Sequence, residues 1–390
     1  MTLLKIIYKY NTIDYFIKYK LIMKIWIVWL PNVWKSTLFN ALTRNYGAEA
    51  ANFPFCTIEP NIWMVNVNDS RLEKIKIAVN GQKIIPATCE FIDIAWIVEW
   101  ASKGEWLWNK FLANIREADA ILQVVRVFSD NDIIHISWNI NPKRDIEIIN
   151  SELILADIET LTRRVNDNSR KAKSNKDAAN AQIVYERVFS SLNEWKLAID
   201  VISPEEQEYF LDLHLLTNKK FVYAANVSEE MMDISEEKLK EILWIPHIPL
   251  TKGGSRGIKV VPICAKLEAD MIEMSLEERE NFLIEMWLIT TWLDNLIKSS
   301  YTSLWLQYYF TAWEKEVRAW TIKIWATAPQ AAGVIHSDFE KWFIKADTVN
   351  WKDLVEFNWW AGAREKAKVR LEWKDYIVQD WDVMLFKFSN

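Results

Sequence analysis

Short apolar runs, rich in β-branched residues, recur along the chain and are separated by segments with helical spacing. The runs lie at 24–29, 87–94, 120–127, 220–225 and 259–264. Runs of this length and composition are typical of buried strands. Because strands that alternate with helices pair into parallel sheets, the pattern predicts an α/β fold with a mostly parallel sheet and helices on both faces.

Residues 145–216 follow a different pattern. Apolar residues recur there at roughly helical spacing, a polar and basic stretch NDNSRKAKSNKDAANAQ follows, and a second helical run begins at AQIVYERVF. This periodicity predicts an α-helical hairpin with a charged tip, inserted into the sheet domain. The apolar positions of its first helix include Ile146, Ile149, Leu153, Ile158 and Leu161.

The two ends of the chain differ from its middle. Helical spacing returns at 275–300, and we expect the first domain to span 23–283. Residues 305–388 contain short alternating strands, such as YIVQDWDVMLFKF, and a helix near DFEKWFIKA, which predicts a small α+β module. Residues 1–22 are apolar but too broken by charged residues to span a membrane. We interpret them as an N-terminal extension that arises from a misplaced start, since Met23 stands directly before the first strand.

The net charge of −6 argues against a purely electrostatic nucleic-acid binder. The three cysteines, Cys56, Cys89 and Cys264, are too widely spaced for a disulfide or zinc framework, so a reducing cytoplasm fits best. The chain has 8 glycines and 23 tryptophans. Average glycine usage would predict about 27 glycines. This imbalance suggests that many of the tryptophans occupy glycine positions.

The stretch WLPNVWKS, at 29–36, has the spacing of the phosphate-binding loop G-x-x-x-x-G-K-[ST], with tryptophan at both glycine positions. A strand precedes it and a helical pattern follows, as a phosphate loop requires. Backbone N–H groups of such a loop point at phosphate, and the helix N-terminus adds positive potential. Lys35 would reach the β- and γ-phosphates and Ser36 would bind Mg²⁺. The remaining candidate nucleotide contacts of the loop are Asn32, Val33, Trp34 and Thr37.

Four further motifs follow in the order expected of a nucleotide-binding switch protein. Thr57, in FPFCTIEPN, is placed like the switch threonine that closes on Mg²⁺ and the γ-phosphate. Asp93 opens DIAW, which has the spacing of D-x-x-G with Trp96 at the glycine, and it would hold Mg²⁺ through water. NVSE begins at Asn226, where a GTPase has N-K-x-D, and CAK at 264–266 occupies the position of a base-contacting S-A-K.

These motifs resemble those of the YchF/Obg-like ATPase family of P-loop NTPases, and the resemblance runs from about residue 24 to residue 390. Besides the motifs above, it rests on DIAWIVEWASKGEWLWNKFL, FTAWEKEVRAWTI and APQAAGVIHSDFEKWFIKA. The resemblance implies an Obg-type nucleotide domain, an inserted helical hairpin and a C-terminal ubiquitin-like TGS domain. It also implies a preference for ATP over GTP, slow ATP hydrolysis with Mg²⁺, and binding to the ribosome.

The residues that would contact the base support the implied preference for ATP. Glu229 replaces the aspartate that would pair with guanine N1 and N2, and Val227 replaces the lysine and would pack on the base beside Asn226. Ile97 stands where Ras-like enzymes place a water-orienting glutamine. A hydrophobic residue cannot orient water, so the sequence leaves the catalytic group unassigned.

The tryptophans raise a hypothesis about how the sequence was written down. Where the family pattern has glycine, the chain has tryptophan, whereas Trp320 stands where the family itself has tryptophan. We hypothesise that UGA codons for glycine were translated as tryptophan. If the tryptophans are real, the protein would be a non-catalytic scaffold, since an indole would occupy the phosphate site. The substituted positions are Trp29, Trp34, Trp96, Trp100, Trp106, Trp108, Trp313, Trp325 and Trp342.

A basic cluster at the predicted hairpin tip is the candidate contact with the ribosome, either its large subunit or the whole particle, and with ribosomal RNA. The cluster consists of Arg163, Arg164, Arg170, Lys171, Lys173 and Lys176. A solvated helix end is the alternative interpretation. We expect a monomer without membrane contact, and an Obg-type GTPase is the alternative enzyme.

Overall fold

The computed structural model describes residues 22–30, 61–93, 116–128, 140–245, 258–286, 288 and 290–389, without the side chains at positions 61, 93, 272 and 276. The described residues form two six-stranded sheets that belong to two compact units. One unit comprises 24–65 and 90–304, and the other includes 66–89 and 305–389. The domain boundaries predicted from the sequence stay predictions. None of the helices in the described part of the chain combines the length and apolarity needed to cross a bilayer.

The strands are β1 (Met23–Trp29), β2 (Asn61–Asn66), β3 (Ile84–Ile85), β4 (Thr88–Asp93), β5 (Ala120–Arg126), β6 (Lys220–Asn226), β7 (Lys259–Ile263), β8 (Leu306–Ala312), β9 (Val317–Lys323), β10 (Phe343–Asn350), β11 (Arg370–Glu372) and β12 (Asp382–Phe388). The helices are α1 (Ser70–Ala78), α2 (Pro142–Lys171), α3 (Lys176–Asn193), α4 (Ala198–Val201), α5 (Glu236–Ile242), α6 (Ala265–Ile272), α7 (Leu276–Glu285), α8 (Trp292–Ser303), α9 (Ala328–Ile335), α10 (Ser337–Lys341), α11 (Trp351–Glu356) and α12 (Trp360–Glu365).

The first sheet has the strand order β2-β4-β1-β5-β6-β7. Strand β5 pairs in parallel with β1 and β6, and β6 pairs in parallel with β7. All seven residues of β5 are buried, because helices cover both faces of such a sheet and leave no polar side. The five apolar runs therefore became strands at nearly their predicted positions, and the α/β fold is confirmed.

The helical hairpin consists of α2 and α3. Helix α2 begins with Pro142 in its first turn, and the side chain of Asn141 accepts a hydrogen bond from the backbone N–H of Arg144. Both features favour a helix start, since the asparagine satisfies one of the free N–H groups and proline has no N–H and a φ that already suits a helix. The helix has 30 residues and therefore spans about 45 Å. Leu161 in its second half and Leu192 of α3 belong to the same buried apolar cluster.

Asp157 anchors the middle of α2 to the chain that precedes β6. Its carboxylate is 1% exposed and accepts hydrogen bonds from the backbone N–H groups of Leu216 and Thr217, at 2.8 and 2.7 Å. The Thr217 hydroxyl donates a third, at 2.6 Å, and accepts one from the Ala198 N–H. Burial raises the pKa of Asp157 to about 6, and the hydrogen bonds from Thr217 and Leu216 limit that rise.

The second sheet has the order β11-β10-β12-β8-β9-β3, and its strand β3 comes from the segment 66–89. The sequence pattern did not predict this segment as part of the C-terminal unit, because β3 is only two residues long and carries no periodicity. The expected helix near DFEKWFIKA is wrong beyond Lys341. Helix α10 ends there, and residues 343–350 pair instead with β12, where Phe343 and Phe386 join the core.

A polar cluster of Asp69, Arg71 and Tyr308 holds the segment 66–89 in this unit. Asp69 caps α1, forms an ion pair with Arg71 at 2.8 Å and accepts a hydrogen bond from the Tyr308 hydroxyl at 2.6 Å. The Arg71 guanidinium lies 4.9 Å from the centre of the Phe310 ring and donates to the backbone oxygen of Asp380. Burial opposes ionisation of Asp69, but hydrogen bonds from Arg71 and Tyr308 outweigh it and lower the Asp69 pKa.

Within the described ranges, four tryptophans have a positive φ, a conformation that strongly favours glycine. Trp195 (φ 61°) and Trp244 (φ 55°) directly follow the last turns of α3 and α5, and each is part of a Schellman motif. In the first, the Trp195 N–H donates to Leu192 and the Lys196 N–H to Ser191. The other two are Trp305 (φ 55°) and Trp359 (φ 107°).

These four positions support the glycine hypothesis with evidence that is independent of any motif. The nine tryptophans that stand where the family pattern has glycine fall into two groups. Trp29, Trp313, Trp325 and Trp342 have no positive φ, so their backbone conformation alone does not require glycine. Trp34, Trp96, Trp100, Trp106 and Trp108 lie outside the described residues.

Candidate nucleotide-binding site

Most residues of the predicted phosphate and magnesium site lie outside the described part of the chain. They are Asn32, Val33, Trp34, Lys35, Ser36, Thr37, Thr57 and Trp96. Asp93 is the last residue of β4, which is adjacent to β1 in the sheet, and β1 ends at Trp29, the first residue of the stretch WLPNVWKS. No cluster of three metal-ligating side chains occurs among the described residues.

The base side of the site is described, and it lies where β6 and β7 end. Asn226 and Ile263 are paired across these strands, and the Val227 N–H donates to the Ile263 oxygen at 2.9 Å. Asn226 is 1% exposed, and its Oδ1 accepts a hydrogen bond from the Ala265 N–H at 3.3 Å. This bond joins NVSE to CAK. Val227 is also 1% exposed, so little of its side chain is available to a base.

Glu229 and Lys266 complete this side of the site. The Lys266 ammonium lies 2.8 Å from Glu229 Oε1, and both side chains are about half exposed. The hydrogen bond to Glu229 raises the pKa of Lys266, so the ammonium stays protonated. Neighbouring Cys264 is buried, and burial raises the pKa of its thiol. A base would therefore meet a carboxylate that is already paired.

Glu268 is a residue of this region that the motifs did not indicate. It is 1% exposed, lies two positions after Lys266 on α6, and accepts a hydrogen bond from the Leu293 N–H in the first turn of α8 at 3.0 Å. Burial raises the pKa of Glu268 to about 7. The contact fixes the start of α6 against α8. An acidic residue inside an otherwise apolar helix face was the available sequence signal.

The structure divides the basic cluster of the hairpin tip into two groups. Arg163 is paired with Glu159, and Arg164 is paired with Asp212 beneath the ring of Tyr185. The other four are exposed and have no carboxylate partner within the described residues: Arg170, Lys171, Lys173 and Lys176. Free positive charge is thus concentrated where α2 ends and α3 begins.

The fold and the base-side geometry together define the class. A sheet with neighbouring parallel strands, the phosphate-loop spacing of the sequence that follows β1, and an asparagine that joins the ends of β6 and β7 are the parts of a P-loop nucleotide-binding protein. Residues 24–153 match a family model described as "50S ribosome-binding GTPase". Residues 306–389 match the YchF-GTPase C-terminal family, described as "Protein of unknown function (DUF933)".

Full-length relatives specify the family. The chain is 48% identical over 367 residues to the "Ribosome-binding ATPase YchF" of Bacillus subtilis, and the match covers 93% of this chain and 98% of that protein. The protein of the same name from Escherichia coli O157:H7 has the same identity and coverage. The solved structure of the Schizosaccharomyces pombe YchF GTPase superposes with a TM-score of 0.75 at 31% identity, covering 94% of this chain and 97% of that one. The chain belongs to the YchF family.

Proposed function

We propose that this protein is a ribosome-binding ATPase that binds ATP and Mg²⁺ and hydrolyses ATP slowly as a regulatory switch in translation. The observation that carries this proposal is the base side of the site. Asn226 joins the two strand ends as in a nucleotide-binding protein, while the carboxylate that a guanine would need is on Glu229 and is paired with Lys266. The names of its full-length relatives include both ATPase activity and ribosome binding.

The proposed magnesium site has a suitable donor set. Ser36 and Thr57 offer hydroxyl oxygens and Asp93 a carboxylate, and hard oxygen ligands with retained waters are what Mg²⁺ prefers. Mg²⁺ would neutralise phosphate charge during hydrolysis. The loops that carry Thr57 and Asp93 would become ordered by the γ-phosphate and would be released after hydrolysis. The catalytic group remains unassigned.

The test of the ATPase proposal is phosphate release and nucleotide binding by the full chain with Trp29, Trp34 and Trp96 replaced by glycine. We expect ATP binding that depends on Mg²⁺, slow turnover, and a loss of more than about tenfold in Lys35→Ala, since that lysine would hold the phosphates. The chain as written should not bind ATP, because an indole would fill the phosphate loop. ATP binding by the chain as written would contradict the glycine hypothesis, and preferential GTP binding by the restored chain would favour the Obg-type GTPase.

We further propose that the hairpin tip contacts ribosomal RNA. Arg170, Lys171, Lys173 and Lys176 are unpaired with carboxylates in the described structure and adjoin one turn, and cations placed in this way neutralise phosphates. The large subunit is the expected binding site, given the description of the matched nucleotide-domain family. A monomer in the cytoplasm fits this role.

Ribosome co-sedimentation with and without a non-hydrolysable ATP analogue tests the tip. Replacing the four residues by glutamine should weaken binding and reduce the slope of log affinity against log salt by about 0.7–0.9 for each phosphate that the tip no longer neutralises. Arg163→Gln is the matched control, because that arginine is already paired with Glu159. An unchanged salt slope in the fourfold variant would show that the tip is only a solvated helix end.

A further inference from the structure

The ion pair of Glu229 and Lys266 lies where the nucleotide base is expected. Glu229 lies three residues after the end of β6. Lys266 is the second residue of α6, and α6 begins two residues after β7 ends. The two charged groups are 2.8 Å apart. The pair therefore bridges the same two segments that Asn226 and Ala265 join through their hydrogen bond.

A guanine base is recognised by a carboxylate that accepts hydrogen bonds from its N1–H and N2–H₂ groups. Adenine has no donor at either of these ring positions. A carboxylate that is already hydrogen-bonded to an ammonium must give up that bond, or share its oxygens, before it can accept from guanine. Guanine binding therefore weakens or breaks the ion pair, whereas adenine binding leaves it intact.

Hydrogen bonds hold the backbone on both sides of Lys266 in place, so that its side chain starts from a fixed position. Behind it, the N–H of Ala265 is bonded to buried Asn226. Ahead of it, buried Glu268 bonds to the Leu293 N–H at the start of α8. These two contacts fix the first turn of α6 on both sides of Lys266, which faces Glu229 as a consequence of where the helix begins.

We propose that Lys266 is a specificity-determining residue, which withholds the Glu229 carboxylate from guanine and thereby favours adenine. The inference rests on the proposed function, because it applies to the base of the bound nucleotide. It assigns the base preference to the pair and not to the exchange of aspartate for glutamate alone.

The test is a double-mutant cycle on the full chain with glycine at positions 29, 34 and 96, titrated with fluorescent analogues of ATP and GTP. Lys266→Met removes the ammonium and keeps the length of the side chain. We expect it to raise the ratio of GTP affinity to ATP affinity about threefold, the value of an ion pair whose two side chains are about half exposed. In the Glu229→Gln background the same change should leave the ratio constant, because there is no carboxylate to release.

Lys238→Met is the matched control, since Lys238 forms an equally short and equally exposed pair with Glu241 on α5. It should leave both affinities unchanged. An unchanged ratio in Lys266→Met would overturn the inference, and so would an equal rise in both backgrounds. If the parent chain binds neither nucleotide, the proposed function fails and the inference fails with it. ATP binding without a response to Lys266→Met would leave the function standing and refute the inference alone.

Discussion

Two segments of the chain are each anchored by one aspartate, but the two aspartates are held in opposite ways. Asp69 fixes the segment 66–89 and has a cation, Arg71, as its partner. Asp157 fixes the hairpin and is held by neutral donors, two N–H groups and the Thr217 hydroxyl. The pKa of Asp69 is lowered, whereas that of Asp157 is raised to about 6.

Burial raises the pKa of Asp157 more than its three hydrogen bonds and the charge of Arg116 lower it, and Asp157 is the more deeply buried of the two carboxylates. Neutral donors supply less than a full opposite charge. At Asp69 the guanidinium supplies that charge. The two segments should therefore respond in opposite directions to pH, although each anchor looks fully bonded.

The largest effect is expected when Asp69 loses its cation. Arg71→Met should lower the free energy of unfolding by about 3 kcal/mol, because it leaves a carboxylate that is only 9% exposed without its partner. Urea unfolding, followed by circular dichroism, measures the loss. Arg163→Met removes an exposed pair of the hairpin and should cost less than about 0.5 kcal/mol. Equal losses in the two variants would contradict the anchoring role of Arg71.

The pH dependence of the hairpin anchor is the second prediction. A carboxyl group whose pKa is higher in the folded state stabilises the fold when protonated, and this contribution is lost as the pH rises from about 3.8 to about 6. Between pH 4 and pH 7 the parent should lose about 2 kcal/mol relative to Asp157→Asn, which cannot ionise. Urea unfolding of both proteins at four pH values measures the difference. If the parent instead gains stability relative to Asp157→Asn as the pH rises, the hydrogen-bond donors outweigh burial at Asp157.

Removing one neutral donor from each anchor sharpens the comparison further. Tyr308→Phe deletes the hydroxyl that donates to Asp69, and Thr217→Val deletes the one that donates to Asp157. Each should cost about 1–2 kcal/mol. The Thr217 variant should cost more at pH 7 than at pH 4, since the bond matters most to the ionised form of Asp157. The Tyr308 variant should show a smaller change, because the pKa of Asp69 is lowered and that of Asp157 is raised, so that Asp69 is the more ionised of the two at pH 4.

The smallest effect concerns the backbone of the same two segments. Helices α1 and α3 end in the same motif, with Asn80 (φ 47°) after the first and Trp195 (φ 61°) after the second. Asparagine tolerates this conformation and tryptophan does not. Trp195→Gly should therefore stabilise the protein by about 1 kcal/mol in thermal unfolding, and Asn80→Gly by less. Destabilisation by Trp195→Gly, whose side chain is 58% exposed, would count against glycine at this position.

Local pattern and long-range pairing explain what the sequence could and could not predict. The run at 120–127 was predicted correctly because the seven residues that form β5 are all buried, which leaves a clear apolar signal. The short strand β3 exists only through its pairing with β9, far along the chain, and nothing in IIPA indicates this. Likewise, NVSE indicated a base site, but the bond between Glu229 and Lys266 depends on where β7 places α6, which no spacing within either motif contains.

The long helix α2 also sets the direction in which the hairpin tip points. From Asp157 to Lys171 it is one uninterrupted α-helix, and each residue of such a helix turns the chain by about 100° and advances it by about 1.5 Å. One residue inserted after Asp157 would barely change the reach of the tip but would rotate its positive charges to another side. An insertion of about seven residues would nearly restore their direction while adding about 10 Å. The number of residues in α2 therefore sets both how far the hairpin tip reaches and which way its positive charges face, and a binding partner must match both.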